Sequence, residues 1–249
     1  MAQLPHNDVI PYQASEKTKK EQVTEMFDRV AVKYDFMNRF LSARLDLSWR
    51  KKAILSLKKY NPQQIIDIAT GTADLALMTY KMLQPQQITG VDISAEMLKV
   101  GQTKVDKTNL NGKIVLQKED SEDLSFADHS FDAATAAFGV RNFEDLEKGL
   151  SEMYRVLKPG GQLMILEFSK PKSTLFSGLY KFYMQIVAPQ FAQLFSTDKQ
   201  AYQYLNKSSI AFPEREAFLD ILKDVGFKNT NYRALSLGIC CIYRGEKPI

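Results

Sequence analysis

Short apolar runs alternate along the chain with segments in which apolar residues recur every three or four positions. The short runs predict strands buried in a sheet, and the helical segments predict helices that cover it. Five runs alternate with helical segments, and two further runs close the chain; they lie at 65–68, 87–92, 113–117, 130–138, 162–168, 228–234 and 236–244. The pattern therefore predicts an α/β domain around one mostly parallel sheet with helices on both faces.

Two regions fall outside this alternation. Residues 20–59 carry a helical pattern, with Val23, Met26 and Val30 at three- and four-residue steps, which predicts an amphipathic helix pair capping the sheet. Residues 175–195 are apolar nearly all round, as in a buried helix. They are expected either to pack as a satellite core or to line a pocket for an apolar ligand.

No stretch of linker composition divides the 249 residues, so we expect one domain over 1–249. Within it, residues 1–20 are polar and are expected to form a flexible arm. Residues 21–60 would form the helical cap, and residues 173–210 a helical insertion after the fifth strand.

Composition narrows the class of protein. The net charge of +4 is too mild to indicate nucleic acid, although it suits weak attraction to an anionic membrane surface. Cys240 and Cys241 are adjacent, lie in an apolar run and have no metal-ligand spacing, which favours buried thiols in a reducing compartment. No apolar leader and no membrane-span run is present, so we expect a cytoplasmic protein.

The first strand leads into a turn with a single glycine, Gly71, and a helix follows. About 20 residues later the second strand ends in Asp92. Strand, glycine turn, helix and strand ending in an acid is the order of a nucleotide-binding unit, in which the acid takes ribose hydroxyls. Because the turn has one glycine where the dinucleotide fingerprint has three, this signal alone is weak.

Polar residues follow the third and fourth strands as well. Asp120 and Ser121 would either edge a heterocycle or cap a helix. Arg141 and Asn142 follow a strand of small residues, at the edge where open α/β sheets bind ligands; the alternative for Arg141 is a surface salt bridge. Tyr34 and Asp35 lie close to the apolar face of the first helix, where they serve either a pocket or an ordinary amphipathic helix.

Taken together, these segments resemble the ubiquinone/menaquinone biosynthesis C-methyltransferase family, from about Gln22 to Lys247. Three motifs are the most specific: Tyr34-Asp35-Phe36-Met37-Asn38, Ala69-Thr70-Gly71-Thr72 and Phe138-Gly139-Val140-Arg141-Asn142. The Lys158-Pro159-Gly160-Gly161 stop is shared with many methyltransferases. Ala69 and Ala73 stand where related folds often carry glycine.

The resemblance implies a class I, Rossmann-like methyltransferase fold with a seven-stranded, mostly parallel sheet and an antiparallel last strand. It also implies S-adenosylmethionine as co-substrate and no metal. By the same resemblance, Thr70, Gly71 and the neighbouring Asp67 would hold the methionine portion. Asp92 would take the ribose hydroxyls, and Asp120 with Ser121 would edge the adenine.

The implied reaction is C-methylation of a polyprenylated quinol, either demethylmenaquinol or a methoxy-benzoquinol. Arg141 and Asn142 would stabilise the ionised ring hydroxyl, Asp35 or a water that it orients would accept the proton, and Tyr34 would wall the pocket. A membrane-derived substrate implies peripheral contact with the inner face of a membrane. A homodimer is a further expectation, whereas nucleic acid is not an expected partner.

Three other functions remain as alternatives. A small-molecule methyltransferase acting on a sterol or phenol would share the fold. A nucleic-acid methyltransferase is disfavoured because an Asn/Asp-Pro-Pro-aromatic motif is missing after the fourth strand, and because both cysteines lie in the last strand. A relative that binds the cofactor without catalysis, and regulates a partner, is the third.

Overall fold

The computed structural model describes residues 6–171 and 199–249. Its strands form one seven-stranded sheet in the order β3-β2-β1-β4-β5-β7-β6. The strands are β1 Gln64–Ile68, β2 Gln87–Asp92, β3 Ile114–Lys118, β4 Phe131–Ala137, β5 Leu157–Phe168, β6 Lys228–Leu235 and β7 Cys240–Glu246. β1 to β5 pair in parallel, and β7 runs antiparallel between β5 and β6. The predicted class and sheet are confirmed.

The described helices cover the sheet and cap one end of it. They are α1 Lys19–Leu41, α2 Leu45–Leu55, α3 Asp74–Leu83, α4 Ala95–Lys107, α5 Leu146–Val156, α6 Lys199–Ala211 and α7 Glu216–Val225. Thr18 begins α1 with a capping box, in which its side chain accepts from Glu21 N–H and the Glu21 carboxylate accepts from Thr18 N–H.

The core lies in two apolar layers, one on each face of the sheet. Successive side chains of a strand point to opposite faces. In β1, Ile65 therefore packs in the layer with Trp49 of α2, whereas Ile66 packs in the layer with Leu150 of α5. Both isoleucines are fully buried. The side chains of β1 are apolar on both faces because each face is covered by one of these layers. β1 therefore lies in the middle of the molecule.

Two strand boundaries differ from the sequence prediction. β5 begins at Leu157, directly after α5, because residues 158–161 form an irregularity in its pairing with β4 rather than a separate turn. β7 begins at Cys240, because a short 3-10 turn at Ser236–Gly238, with Leu237 at a left-handed φ of 58°, precedes it.

The N-terminal residues from His6 onward lie against the domain. His6 is fully buried, its ring lies 6.3 Å from that of Phe212, and its carbonyl accepts from Lys19 Nζ at 2.8 Å. The apolar segment 175–195 lies outside the described residues, and of the expected insertion the structure describes α6. Within the described ranges, no helix is long and apolar enough to cross a bilayer.

Candidate active site

A cavity of about 720 Å³, including its open mouth, lies at the carboxyl edge of the parallel strands. Its walls come from the segments that follow β1, β2, β3 and β4, and from α1 above them. Six of the predicted site residues line it directly: Tyr34 of α1, Gly71, Asp92, Asp120, Ser121 and Asn142. Parallel strands bring their carboxyl ends to one edge, so segments far apart in sequence meet here.

The turn after β1 is left-handed at alternate positions. Ala69, Gly71 and Ala73 have φ of 52°, 56° and 62°. A Cβ placed on Gly71 would meet nothing within 4 Å, so this glycine presents bare backbone to the cavity. Glycine is favoured at such φ values, and here two alanines adopt them within a tightly packed turn.

Beneath the turn lies a buried polar group built on Asp67. Its two carboxylate oxygens accept from the hydroxyls of Thr70 at 2.6 Å and Thr135 at 2.7 Å. Burial raises the pKa of Asp67 to about 6, against the effect of these two hydrogen bonds. Thr70 and Asp67 thus lie under the cavity, outside its wall, and the Thr70 hydroxyl is directed to Asp67.

Asp92 stands in the cavity wall at the end of β2. Its oxygens accept from Gly71 N–H at 2.8 Å and Ser94 N–H at 2.9 Å. A carboxylate has about four lone-pair sites, so about two remain for a ligand. This arrangement suits a vicinal diol. Burial raises the pKa of Asp92 to about 6, despite these backbone donors.

Lys20 of α1 bridges two acids in the segment after β3, which also lines the cavity. Its ammonium lies 2.6 Å from Asp120 and 3.0 Å from the buried carboxylate of Glu122. Glu122 also accepts from the Glu144 N–H at 2.7 Å. Lys20 and Glu122 both line the cavity, and sequence reasoning assigned neither of them a role. The run of acids at 119–122 was visible in the sequence, but its partner lies a hundred positions earlier.

The cavity residues fit S-adenosylmethionine. Asp92 offers acceptors to two hydroxyls, while Ile93 and Met97 supply apolar surface next to it. The oxygens of Asp120 accept from Lys20 and from Glu122 N–H, and they keep lone pairs for an exocyclic amine. The exposed backbone of Gly71 permits close approach. Between them these groups match the ribose, the adenine and the methionine portion of the molecule.

Arg141 lies behind the wall rather than in it, whereas Asn142 lines the cavity. Arg141 is 4% exposed, and one guanidinium nitrogen donates to the Phe138 carbonyl at 2.6 Å and to Glu167 at 2.8 Å. Its guanidinium carbon lies 5.3 Å from the centre of the Phe168 ring. The salt bridge that was the alternative for Arg141 exists, but it is buried beneath the site, not on the surface.

Tyr34 and Asp35 point to different surroundings, as neighbours on a helix do. Tyr34 lines the cavity, and desolvation raises the pKa of its hydroxyl although the nearby Arg141 opposes this. The Asp35 carboxylate accepts from Thr72 at 2.6 Å and from Lys104 at 2.8 Å, and Lys104 also pairs with Asp74. Asp35 is not part of the cavity wall, and its two oxygens already have partners.

Solved structures share this architecture at low sequence identity. A methyltransferase from Thermotoga maritima, described as a possible histamine N-methyltransferase, has a TM-score of 0.62 and 20% identity, covering 90% of this chain and 99% of that one. A methyltransferase from Methanococcus maripaludis gives 0.59 and 17%, covering 96% and 98%. At these identities the likeness shows the fold, which is that of class I S-adenosylmethionine-dependent methyltransferases.

Curated relatives match at much higher identity over nearly the whole chain. Demethylmenaquinone methyltransferase of Bacteroides fragilis is 48% identical, covering 98% of this chain and 99% of that protein. The ubiquinone/menaquinone biosynthesis C-methyltransferase UbiE of Geotalea daltonii is 47% identical, covering 92% and 97%. The model of the ubiE/COQ5 methyltransferase family matches residues 15–247. The resemblance inferred from the sequence motifs is therefore confirmed, and the chain belongs to the ubiE/COQ5 methyltransferase family.

Proposed function

We propose that this enzyme transfers the methyl group of S-adenosylmethionine to a ring carbon of a polyprenylated quinol in quinone biosynthesis. The 48% identity to a demethylmenaquinone methyltransferase supports demethylmenaquinol as the substrate class. In the structure, the observation that carries the proposal is that Asp92 and Asn142 line the same cavity. One end of this cavity suits the donor, and the other has polar groups for a ring oxygen.

The donor supplies an electrophilic methyl group, and the chain's task is to hold it. In this proposal Asp92 accepts from the ribose hydroxyls, and Asp120 with Ser121 edges the adenine. Gly71 lies along the methionine portion. Thr70 and Asp67 contribute indirectly, because their buried hydrogen bond fixes the turn that carries Gly71.

The acceptor end must favour an ionised ring hydroxyl, whose ordinary pKa is about 10. Asn142 is placed to donate to that oxygen, and Tyr34 to pack on the ring. Arg141 acts from behind the wall through its permanent charge, which the ion pair with Glu167 reduces and which a buried site screens less than water does. Holding the two reactants in line can contribute about 7–11 kcal/mol, so positioning is the larger part of the rate enhancement.

Asp35 is better suited to holding the cap than to accepting a proton. Its hydrogen bond from Thr72 and its ion pair with Lys104 tie α1 to the first turn and to α4. Its carboxylate also lies outside the cavity wall. We therefore propose that Asp35 positions α1 over the site.

The substrate's isoprenoid tail implies a source in the bilayer. We propose that the enzyme is cytoplasmic and binds transiently to the inner face of the membrane. The apolar sequence of residues 175–195 and the mild positive net charge support this proposal. A homodimer remains a prediction for a measurement of mass in solution.

Transfer of a tritiated methyl group tests the function directly. Purified enzyme should label demethylmenaquinol or 2-polyprenyl-6-methoxy-1,4-benzoquinol in lipid vesicles, with the label on a ring carbon. A sterol and a simple phenol serve as competing acceptors. Labelling of either of these at rates equal to the quinols, or of no quinol at all, would contradict the proposal.

A further inference from the structure

Four buried polar groups in or behind the cavity wall have no hydrogen-bond partner among the described residues. They are Nε of Arg141, Oδ1 of Asn142, Oε2 of Glu167 and the hydroxyl of Tyr204. Buried polar atoms in native proteins are nearly always satisfied by protein or ordered water. A group of four close together therefore calls for an explanation, such as ordered water or a catalytic role.

The four groups belong together in space. Glu167 and Arg141 form an ion pair at 2.8 Å, and Asn142 follows Arg141 in the same turn. The helix α6, which carries Tyr204, packs against this turn. The charges of Arg141 and Glu167 also act on the Tyr204 hydroxyl. We call this set, Arg141, Asn142, Glu167 and Tyr204, the polar chamber.

The polar chamber shares walls with the cavity. Asn142 belongs to both. Tyr204, which is 1% exposed, packs on Val23 and Met26 of α1, and Val23 lines the cavity. Asn142 and Val23 thus connect the cavity wall to the polar chamber.

C-methylation of a phenol needs a group that takes the hydroxyl proton. Arg141 stays protonated at any ordinary pH, and an asparagine is not a base. Asp35 is engaged with Thr72 and Lys104. Glu167 differs from these groups, because Oε1 accepts from Arg141 and from Phe168 N–H at 2.8 Å, while Oε2 has no partner within residues 6–171 and 199–249.

We propose, on the basis of the proposed function, that Glu167 receives the hydroxyl proton of the quinol through the Tyr204 hydroxyl and an intervening water. Arg141 holds the carboxylate in place, and Tyr204 keeps its own proton between transfers. Glu167 does not touch the substrate in this scheme. It acts through Tyr204, whose oxygen accepts one proton as it donates another.

The proton and electron balance is as follows. The quinol O–H bond breaks, its electron pair stays on oxygen, and Glu167 becomes a neutral acid. The ring carbon then bonds to the methyl group as the methyl–sulfur bond breaks and its electron pair returns to sulfur. Finally the methylated carbon loses its ring proton to water, and the carbonyl oxygen takes back a proton from Glu167.

The surroundings of Glu167 suit this exchange. Burial raises the pKa of the Glu167 carboxyl, while the positive charge and hydrogen bond of Arg141 oppose the rise. Burial also raises the pKa of the Tyr204 hydroxyl, so it remains a donor. The other titratable or charged groups nearby are Cys240 of β7, Arg50 of α2 and Tyr34 of α1.

The test compares Glu167→Gln, Glu167→Asp and Tyr204→Phe with the wild type. Glutamine keeps the shape and an acceptor for Arg141 but removes the base. General-base catalysis contributes ~100- to 10,000-fold, so Glu167→Gln should lower kcat at least about 100-fold while KM changes little. Glu167→Asp should restore part of the rate. Glu152→Gln is the matched control, because Glu152 pairs with Arg155 at 2.7 Å on α5, outside the cavity wall.

A second readout does not depend on turnover. A short-tailed naphthol whose phenolate absorbs in the near ultraviolet is titrated with pH, bound to enzyme loaded with S-adenosylhomocysteine. The naphthol bound to the wild type or to Glu152→Gln should ionise at a lower pH than the free naphthol. In Glu167→Gln the ionisation should move to a still lower pH, because the variant lacks the carboxylate that compensates the charge of Arg141. S-adenosylhomocysteine affinity, measured by calorimetry, should stay within about threefold in every variant.

The outcomes separate this inference from the proposed function. If Glu167→Gln keeps the wild-type kcat, pH profile and naphthol titration, the proton path through Glu167 is wrong. The same conclusion follows if it loses activity only together with S-adenosylhomocysteine binding or folding. A wild type that methylates no quinol contradicts the proposed function instead, and the naphthol titration still decides whether the Glu167 carboxylate acts on a bound phenol.

Discussion

The turns after β1 and β4 touch at Ala69 and Gly139. A Cβ placed on Gly139 would lie 2.5 Å from the Cβ of Ala69, a distance that real side chains do not adopt. Both residues line the cavity. The methyl group of Ala69 therefore occupies the space that the glycine in the Phe-Gly-Val-Arg-Asn motif leaves open.

Gly139→Ala should consequently destabilise the protein by about 1–3 kcal/mol, the ordinary cost of overpacking, and should also weaken S-adenosylhomocysteine binding. The double variant Ala69→Gly/Gly139→Ala should recover most of both losses. The Ala69→Gly change removes the clashing methyl group and puts a glycine at a left-handed position that alanine adopts at a cost. Urea unfolding and calorimetry measure the two effects. A single variant as stable as wild type would show that the two turns move apart freely.

Asp92→Asn should weaken S-adenosylhomocysteine binding by about 10- to 100-fold, because hydrogen bonds to a charged group are typically worth about 1.5–3 kcal/mol. Calorimetry measures the dissociation constant, with urea unfolding as a check on folding, since Asp92 also accepts two backbone N–H groups. Asp106→Asn, an exposed acid at the far end of α4, is the control. If both variants bind S-adenosylhomocysteine equally well, Asp92 does not bind the ribose.

Asp35→Asn separates a positioning function from proton transfer. We expect lower stability, by about 1–2 kcal/mol, because Lys104 loses one of its two carboxylate partners in a half-buried network. kcat should fall by less than about tenfold, and its pH profile should keep its shape. A loss of about 100-fold in kcat at unchanged stability would instead make Asp35 the proton acceptor.

His6 should make the fold sensitive to mild acid. Desolvation, with the adjacent charge of Lys19, lowers the pKa of His6 from 6.5 to about 4. The unfolded chain therefore takes up a proton near pH 6.5, whereas the folded chain resists until about pH 4. The stability that depends on neutral His6 is present above pH 6.5 and is lost as the pH falls toward 4, by about 3 kcal/mol in all.

Urea unfolding at pH 7 and at pH 4.5 measures this effect. His6→Gln should lack the corresponding part of the acid loss. His129→Gln, which changes the other of the two histidines, should retain it, since His6 is still present. Identical pH dependence in His6→Gln and wild type would mean that the N-terminal segment detaches before His6 titrates.

Local sequence was enough for the elements and for the edge where the site lies. Strand runs and helical periodicity are short-range signals, so β1, β2 and β4 could be placed before the structure was known. The acids and amides that follow these strands could be assigned to one edge, because parallel strands end together. Gly71, Asp92 and Asn142 line the cavity for this reason.

Long-range partners could not be read in the same way. Lys20 lies a hundred positions from Asp120, and nothing in the residues around either indicates their ion pair. Arg141 and Asn142 are neighbours in one motif, yet Asn142 faces the cavity and Arg141 pairs with Glu167 behind it. A short 3-10 turn after β4 sets these directions, and a motif does not specify the angle of each side chain.

By itself, then, the sequence determined the α/β sheet, the family and the carboxyl edge at which the cavity lies, because hydrophobic periodicity, motifs and turn residues are local signals. Tertiary structure alone decided which polar groups reach the cavity and which are held behind it. That choice depends on packing between α1, α6 and the turn after β4, where each buried charge must find a partner from a distant part of the chain.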